Sequence, residues 1–188
     1  MKALKTVNRG LIVSLAVLIA VVVYVKGVSM KADAMEALSD SFIADFLIKD
    51  SEWKTIPAEY RNDEQSYIAK IEPDVRAYFD SDSSYNYYID NNISHQYRTG
   101  SFCEHYSASV SKKYDNVYNK GVLESTYQLY ISYKTDGNTS SEWDYSYTTF
   151  SFVQINGEIK IHYIDFGLNG SGNGEYFYYD DYGYRYGY

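Results

Sequence analysis

Between Arg9 and Lys26 the chain carries sixteen consecutive uncharged residues, GLIVSLAVLIAVVVYV. As a helix rising about 1.5 Å per residue, the run covers roughly 24 Å, a little less than a hydrocarbon core of about 30 Å. Lys26 can snorkel toward the headgroups, which lets Gly27, Val28 and Met30 complete the span. The competing reading is a cleaved signal peptide, with Lys2, Lys5 and Arg9 as its basic start and ADA at 32–34 as its small-residue cleavage site. That site lies well past Val25, with Lys26 and Lys31 in between, so an uncleaved anchor fits better. The basic N-terminus then stays in the cytoplasm and the rest is exported. Four segments follow: a cytoplasmic start (1–9), a single-pass anchor (10–30), an extracytoplasmic domain (31–168) and a tail (169–188).

Charge separates the same segments. The first five charged residues are all basic, which leaves 12 basic against 25 acidic side chains in residues 33–188, a balance of −13. A domain of that sign repels nucleic acid and anionic headgroups, so neither is expected as a partner. Cys103 is the single cysteine of the chain, so no intrachain disulfide can form. It also lies far from the apolar segment where a lipid-bearing cysteine would sit.

After the anchor the apolar residues recur first at helical and then at strand period. Met35, Leu38, Phe42, Phe46 and Leu47 predict an amphipathic helix to about Lys49, continuing from the anchor. Pro57 marks the start of a short helix, and Ile68, Ile71, Val75, Tyr78 and Phe79 predict a further helical face broken by Pro73. Residues 84–97 read equally as a short helix or a loop. From about Tyr106 the period is two: Leu123, Tyr127, Leu129, Ile131 and Tyr133 alternate with Glu124, Thr126, Gln128 and Lys134. Strands are expected at 106–118, around 123–134, at 142–155 and after Gly157, joined through NKG (119–121), TDGNTSS (135–141) and the Asn156-Gly157 turn. The fold class is therefore α+β, with two or three helices packed on a curved antiparallel meander.

This order of helices and strands, closing on the hairpin FSFVQINGEIKIHYIDF, resembles the nuclear transport factor 2-like superfamily of cone-shaped domains over residues 33–168. A cystatin-like arrangement is the nearest rival. The resemblance implies a cavity on the concave face of the sheet, where enzymes of that superfamily often use an acid as proton acceptor and a tyrosine or protonated acid as oxyanion donor. Counting in twos from Ile159 and Ile161 places Tyr163 and Asp165 on the cavity side, and Tyr127 and Tyr147 complete the expected ligand-binding lining. Packing is the stronger expectation for these side chains, and a bulge near Asp165 would reverse the parity. The layout also resembles scaffold subunits of type IV secretion and conjugation machines, with a short cytoplasmic start, one span and one such domain.

Other chemistry is thinly represented. Cys103 and His105 could share a strand face, yet two further metal ligands at suitable spacing are lacking, so no metal is expected. GLNGSGNG at 167–174 follows a strand without a helix behind it to hold a phosphate, and reads as a linker. No cofactor is expected. In the tail, Tyr182, Tyr184, Tyr186 and Tyr188 would project from one side of an extended chain. They are the expected partner-binding residues, ordering on another protein or on a second copy by adding to a sheet edge, or else folding back over their own domain. The expected function is a non-enzymatic, membrane-anchored interaction or scaffold module of a bacterial envelope assembly. A small-ligand pocket protein is the alternative, and a cavity enzyme of isomerase or hydrolase type ranks third.

Overall fold

The computed structural model describes residues 9–137 and 142–165, with backbone alone at 9–12, 115 and 142–144. The first helix, α1 (Arg9–Lys54), runs for 46 residues without interruption. The expected anchor and the first helix of the domain are thus one continuous helix, about 69 Å long at 1.5 Å per residue. Its described side chains from Val13 to Gly27 are exposed, as an apolar segment awaiting a hydrocarbon solvent would be. By length and composition it can cross a membrane. From Met35 onward one side turns into the core through Met35, Ile43, Phe46, Leu47 and Trp53. This stripe is rotated slightly from the expected one: Leu38 remains 43% exposed and Ile43 takes an inward place.

Pro57 precedes a single 3-10 turn, Ala58–Tyr60, and α2 (Glu64–Arg76) follows, capped by the Asp63 carboxylate accepting from the Ser66 N–H at 3.1 Å. Pro73 does not break α2. Both Pro73 and Ala69, whose carbonyl loses its helical donor, face solvent, so water can take the missing bond while Ile71 and Val75 hold the opposite side in the core.

The undecided stretch is helical throughout: α3 (Asp82–Tyr88), a π-helical segment (Ile89–Ser94) and α4 (His95–Thr99), ended by Gly100 at φ +67°. Its buried side includes Asn92 and Gln96, which hide the apolar period. Asn91 and Asn92 donate side-chain N–H groups to the Tyr87 and Tyr88 carbonyls at 2.8 and 2.9 Å, beside the wider π turn.

Four strands follow in one antiparallel sheet of order β1-β2-β3-β4: β1 (Cys103–Asn119), β2 (Val122–Thr135), β3 (Glu142–Ile155) and β4 (Glu158–Asp165). Both inner turn residues of the first and last hairpins carry positive φ, Lys120 and Gly121 at 49° and 89°, Asn156 and Gly157 at 53° and 89°. This is the geometry a two-residue I′ turn needs. The fold is α+β: α1 and the shorter helices cover one face of the sheet, and the aromatic core lies between the two layers.

Candidate functional surface and buried polar cluster

Which face each strand turns inward is decided by α1. Phe46 packs against Phe150 at a ring separation of 5.9 Å and Phe42 against Phe152 at 6.0 Å, so the even positions of β3 enter the core. Tyr145 and Tyr147 are consequently on the opposite, outer face, 44% and 40% exposed. This corrects the expectation that Tyr147 lines a cavity. Both sides of β3 are apolar enough to be buried, and only the helix partner distinguishes them.

Strand β4 holds a second correction. Ile161 pairs with Phe152, but Tyr163 pairs with Ser151, so His162 is an extra residue and the parity flips there. Ile159, Ile161 and Ile164 point inward, whereas Tyr163, 46% exposed, and Asp165 point outward. Of the four expected ligand-binding residues, Tyr127 alone is inside. Its ring packs on Phe150, and its hydroxyl donates to Asp40 on α1 at 3.2 Å. A groove of about 380 Å³ lies elsewhere, lined by Leu38, Ser41, Phe42 and residues 157–160, and none of the four borders it.

The bulge is anchored from outside the sheet. The Ile161 N–H donates to the Tyr78 carbonyl at 2.8 Å and the Asp80 N–H to the Ile161 carbonyl at 3.1 Å, so residues 78–80 cover the outer edge of β4 at Ile161. His162 Nδ1 lies 2.6 Å from Asp80 Oδ2, and Ser84 Oγ lies 2.6 Å from the His162 carbonyl and 2.8 Å from Asp80 Oδ1. Partial burial alone would raise the Asp80 pKa. Hydrogen bonds with His162, Ser84 and Ser81 outweigh it and hold the carboxyl below its ordinary value. A carboxylate so depressed contributes stability above its unfolded value of about 3.9 and loses it as pH falls through the folded value. Asp80→Asn is therefore expected to flatten the acid side of the stability profile. Urea midpoints at neutral pH and near pH 3 check this, and equally steep acid loss in both proteins would refute an ionic latch.

On the outer face, aromatic and polar groups alternate across strands. Tyr114 meets Tyr147 at 5.7 Å and Tyr130 meets Tyr145 at 5.4 Å, while at the β4 edge, where α3 comes alongside, Tyr163 meets Tyr87 at 5.5 Å. Between them Thr126 and Thr149 share a hydrogen bond of 2.8 Å, and Gln128 Nε2 donates to the Tyr147 hydroxyl at 3.4 Å. Rings held by cross-strand neighbours present contact area with little entropy left to lose, the property that makes tyrosine common in binding surfaces.

Sequence reading missed a polar cluster deep under the sheet. Lys54 Nζ lies 3.0 Å from Asp50 Oδ2 and donates to the Tyr106 hydroxyl at 3.2 Å, while the Tyr88 hydroxyl donates to Asp50 Oδ1 at 2.7 Å. Gln96 extends the network, donating to the Lys54 carbonyl at 3.0 Å and accepting from the Cys103 N–H at 2.9 Å. Burial alone would lower the Lys54 pKa, but Asp50 and Tyr106 outweigh it and raise it, so the ammonium persists. Burial pushes the Tyr106 hydroxyl up to about 12 and the Cys103 thiol up to about 11. A thiol kept protonated is a poor nucleophile and metal ligand. The register shift between residues 103 and 105 turns Cys103 inward and leaves His105 exposed, so the two do not share a face. An i, i+4 Asp-Lys pair was visible in the sequence, but its placement among apolar residues was the only sign of burial.

The partner-binding tyrosines 182, 184, 186 and 188 lie outside the described residues. The described chain is thus an α+β domain built onto a long helix that can cross a membrane. No protein-family model and no curated protein matches its sequence. Among solved structures it is similar to an IcmL-like type IV secretion system protein from Legionella pneumophila, at 11% identity and a TM-score of 0.41, covering 70% of this chain and 96% of that one. A likeness of that size bears on neither family nor function.

Proposed function

We propose that the chain is a single-pass, non-enzymatic membrane protein whose extracytoplasmic α+β domain is an interaction or scaffold module of a bacterial envelope assembly. The observation that carries this reading is the joining of two features in one fold: a helix that runs uninterrupted from an apolar segment into the core, and a sheet whose far face displays Tyr114, Tyr147 and Tyr163. The N-terminus is cytoplasmic in this reading, by its basic residues. The proposal extends to a nuclear transport factor 2-like ancestry and to secretion or conjugation machinery as the setting, both on the order of segments alone.

A photo-crosslinking residue placed at Tyr147 or Tyr163 of the full chain, in its native membrane, is expected to give a discrete heteromeric adduct. The same residue at Glu59, exposed among the helices, should give none, and Tyr147→Asp should abolish the adduct captured from position 163. Equal labelling from all three sites, or none from either tyrosine, would refute the reading.

A further inference from the structure

The outer sheet face and the last residues of the chain share a composition, and the point where β4 ends brings them together. Tyr163 and Asp165 are both on the outer face, and the pairing of Asp165 with Thr149 fixes the point on the sheet from which the remaining chain starts. Residues 166–174, FGLNGSGNG, contain four glycines and can span at most about 30 Å at 3.3 Å per residue. Crossing from β4 to β1 takes three strand spacings, roughly 14 Å. The segment EYFYYDDYGYRYGY that follows can therefore reach every row of the sheet.

We propose that residues 175–188 dock in cis on the outer tyrosine face of their own domain. The inference rests on the reading above and names the resident occupant of its binding surface. Seven tyrosines and one phenylalanine in the segment meet a platform of Tyr114, Tyr147 and Tyr163, with Thr126, Thr149 and Gln128 offering hydroxyl and amide partners between the rings. A nine-residue tether holds the tail near its own face at an effective concentration in the millimolar range, so even a weak contact is satisfied within the copy first. The outer edge of β4, the edge nearest the start of the tail, is already occupied at Ile161 by residues 78–80, which disfavours strand addition there. An outside protein must then displace the tail, which makes the tail the threshold for engagement.

The test is tyrosine nitration by tetranitromethane, read residue by residue by mass spectrometry on the full chain in detergent micelles. Tyr147 and Tyr163 are expected to react at least about fivefold more slowly than in a chain ending at Gly174, with Tyr60 of the helical layer unchanged, and to hold that ratio over a hundredfold dilution. A full-length variant with Tyr182, Tyr184, Tyr186 and Tyr188 changed to Ser keeps the comparison valid if the shortened chain does not fold, and should lose the protection too. Equal rates in the parent and that variant overturn the proposal. Protection that fades on dilution assigns the contact to a second copy and overturns it as well. Neither result touches the crosslinking from Tyr147 in native membranes, so failure of the tail contact and failure of the interaction reading are separable.

Discussion

Phe46→Ala is expected to lower the unfolding temperature of the α+β domain by on the order of 10 °C, through a loss of about 3–5 kcal/mol. Phe46 is 2% exposed, and its ring meets those of Trp53, Tyr78, Phe79, Tyr88 and Phe150 at 5.6 to 6.2 Å. These come from its own helix, the residues after α2, α3 and β3. Truncation removes the one side chain that all of them share, and aromatic neighbours of fixed shape collapse poorly into the space. Ile48, on the same helix but 62% exposed, is the control. Its change to Ala should stay within about 0.5 kcal/mol. Thermal denaturation of both variants decides the matter, and equal shifts would mean that Phe46 does not hold the core together as the packing indicates.

Lys54→Met should cost a comparable amount, about 3–5 kcal/mol, for a different reason. The methionine fills a similar volume, but Asp50 is left as a buried carboxylate without the ammonium, with the Tyr88 hydroxyl still donating to it. Changing Asp50 to Leu alongside Lys54→Met removes the uncompensated charge and should restore part of the loss. Restoration is incomplete because the Tyr88 and Tyr106 hydroxyls then lose their partners, at roughly 1–3 kcal/mol for each buried group left unsatisfied. Chemical denaturation of the two singles and the double gives the coupling directly. Additive losses would show that the pair is not a unit. The raised Lys54 pKa sets the pH sign: its contribution is complete below the ordinary lysine value near 10.5 and is lost only as pH climbs through the folded value.

The strands were legible in the sequence because alternation and turn chemistry agreed. Asn156-Gly157 closes the last hairpin as its residues demand, and β3 spans 142–155 as read. The helical stretch at 82–99 was not legible, since its buried positions include Asn92 and Gln96, whose amides are satisfied only in the folded chain. On β4 the expected cavity side was reversed by one residue. A count by twos is blind to the insertion of His162, and what holds that bulge, the contacts with Asp80 and Ser84, comes from a segment 78–82 positions earlier. Tyr147 was misplaced for a related reason. The face of a strand flanked by aromatics on both sides is chosen by α1, which no local pattern in β3 records.

The unbroken passage of α1 from span to core gives the chain a rotational phase. With the helix unbroken between Gly27 and Asp33, the azimuth of the tyrosine face around the helix axis is geared to the bearing of the apolar segment, and so to whichever side of it would face neighbours in a bilayer. One inserted residue would swing the face by about 100° and lift it 1.5 Å, whereas seven would return it to within about 20° of its starting bearing and raise it by about 10 Å. Bearing and height can therefore be varied separately, and a contact made by the face would answer to the first of them in steps of the helical turn.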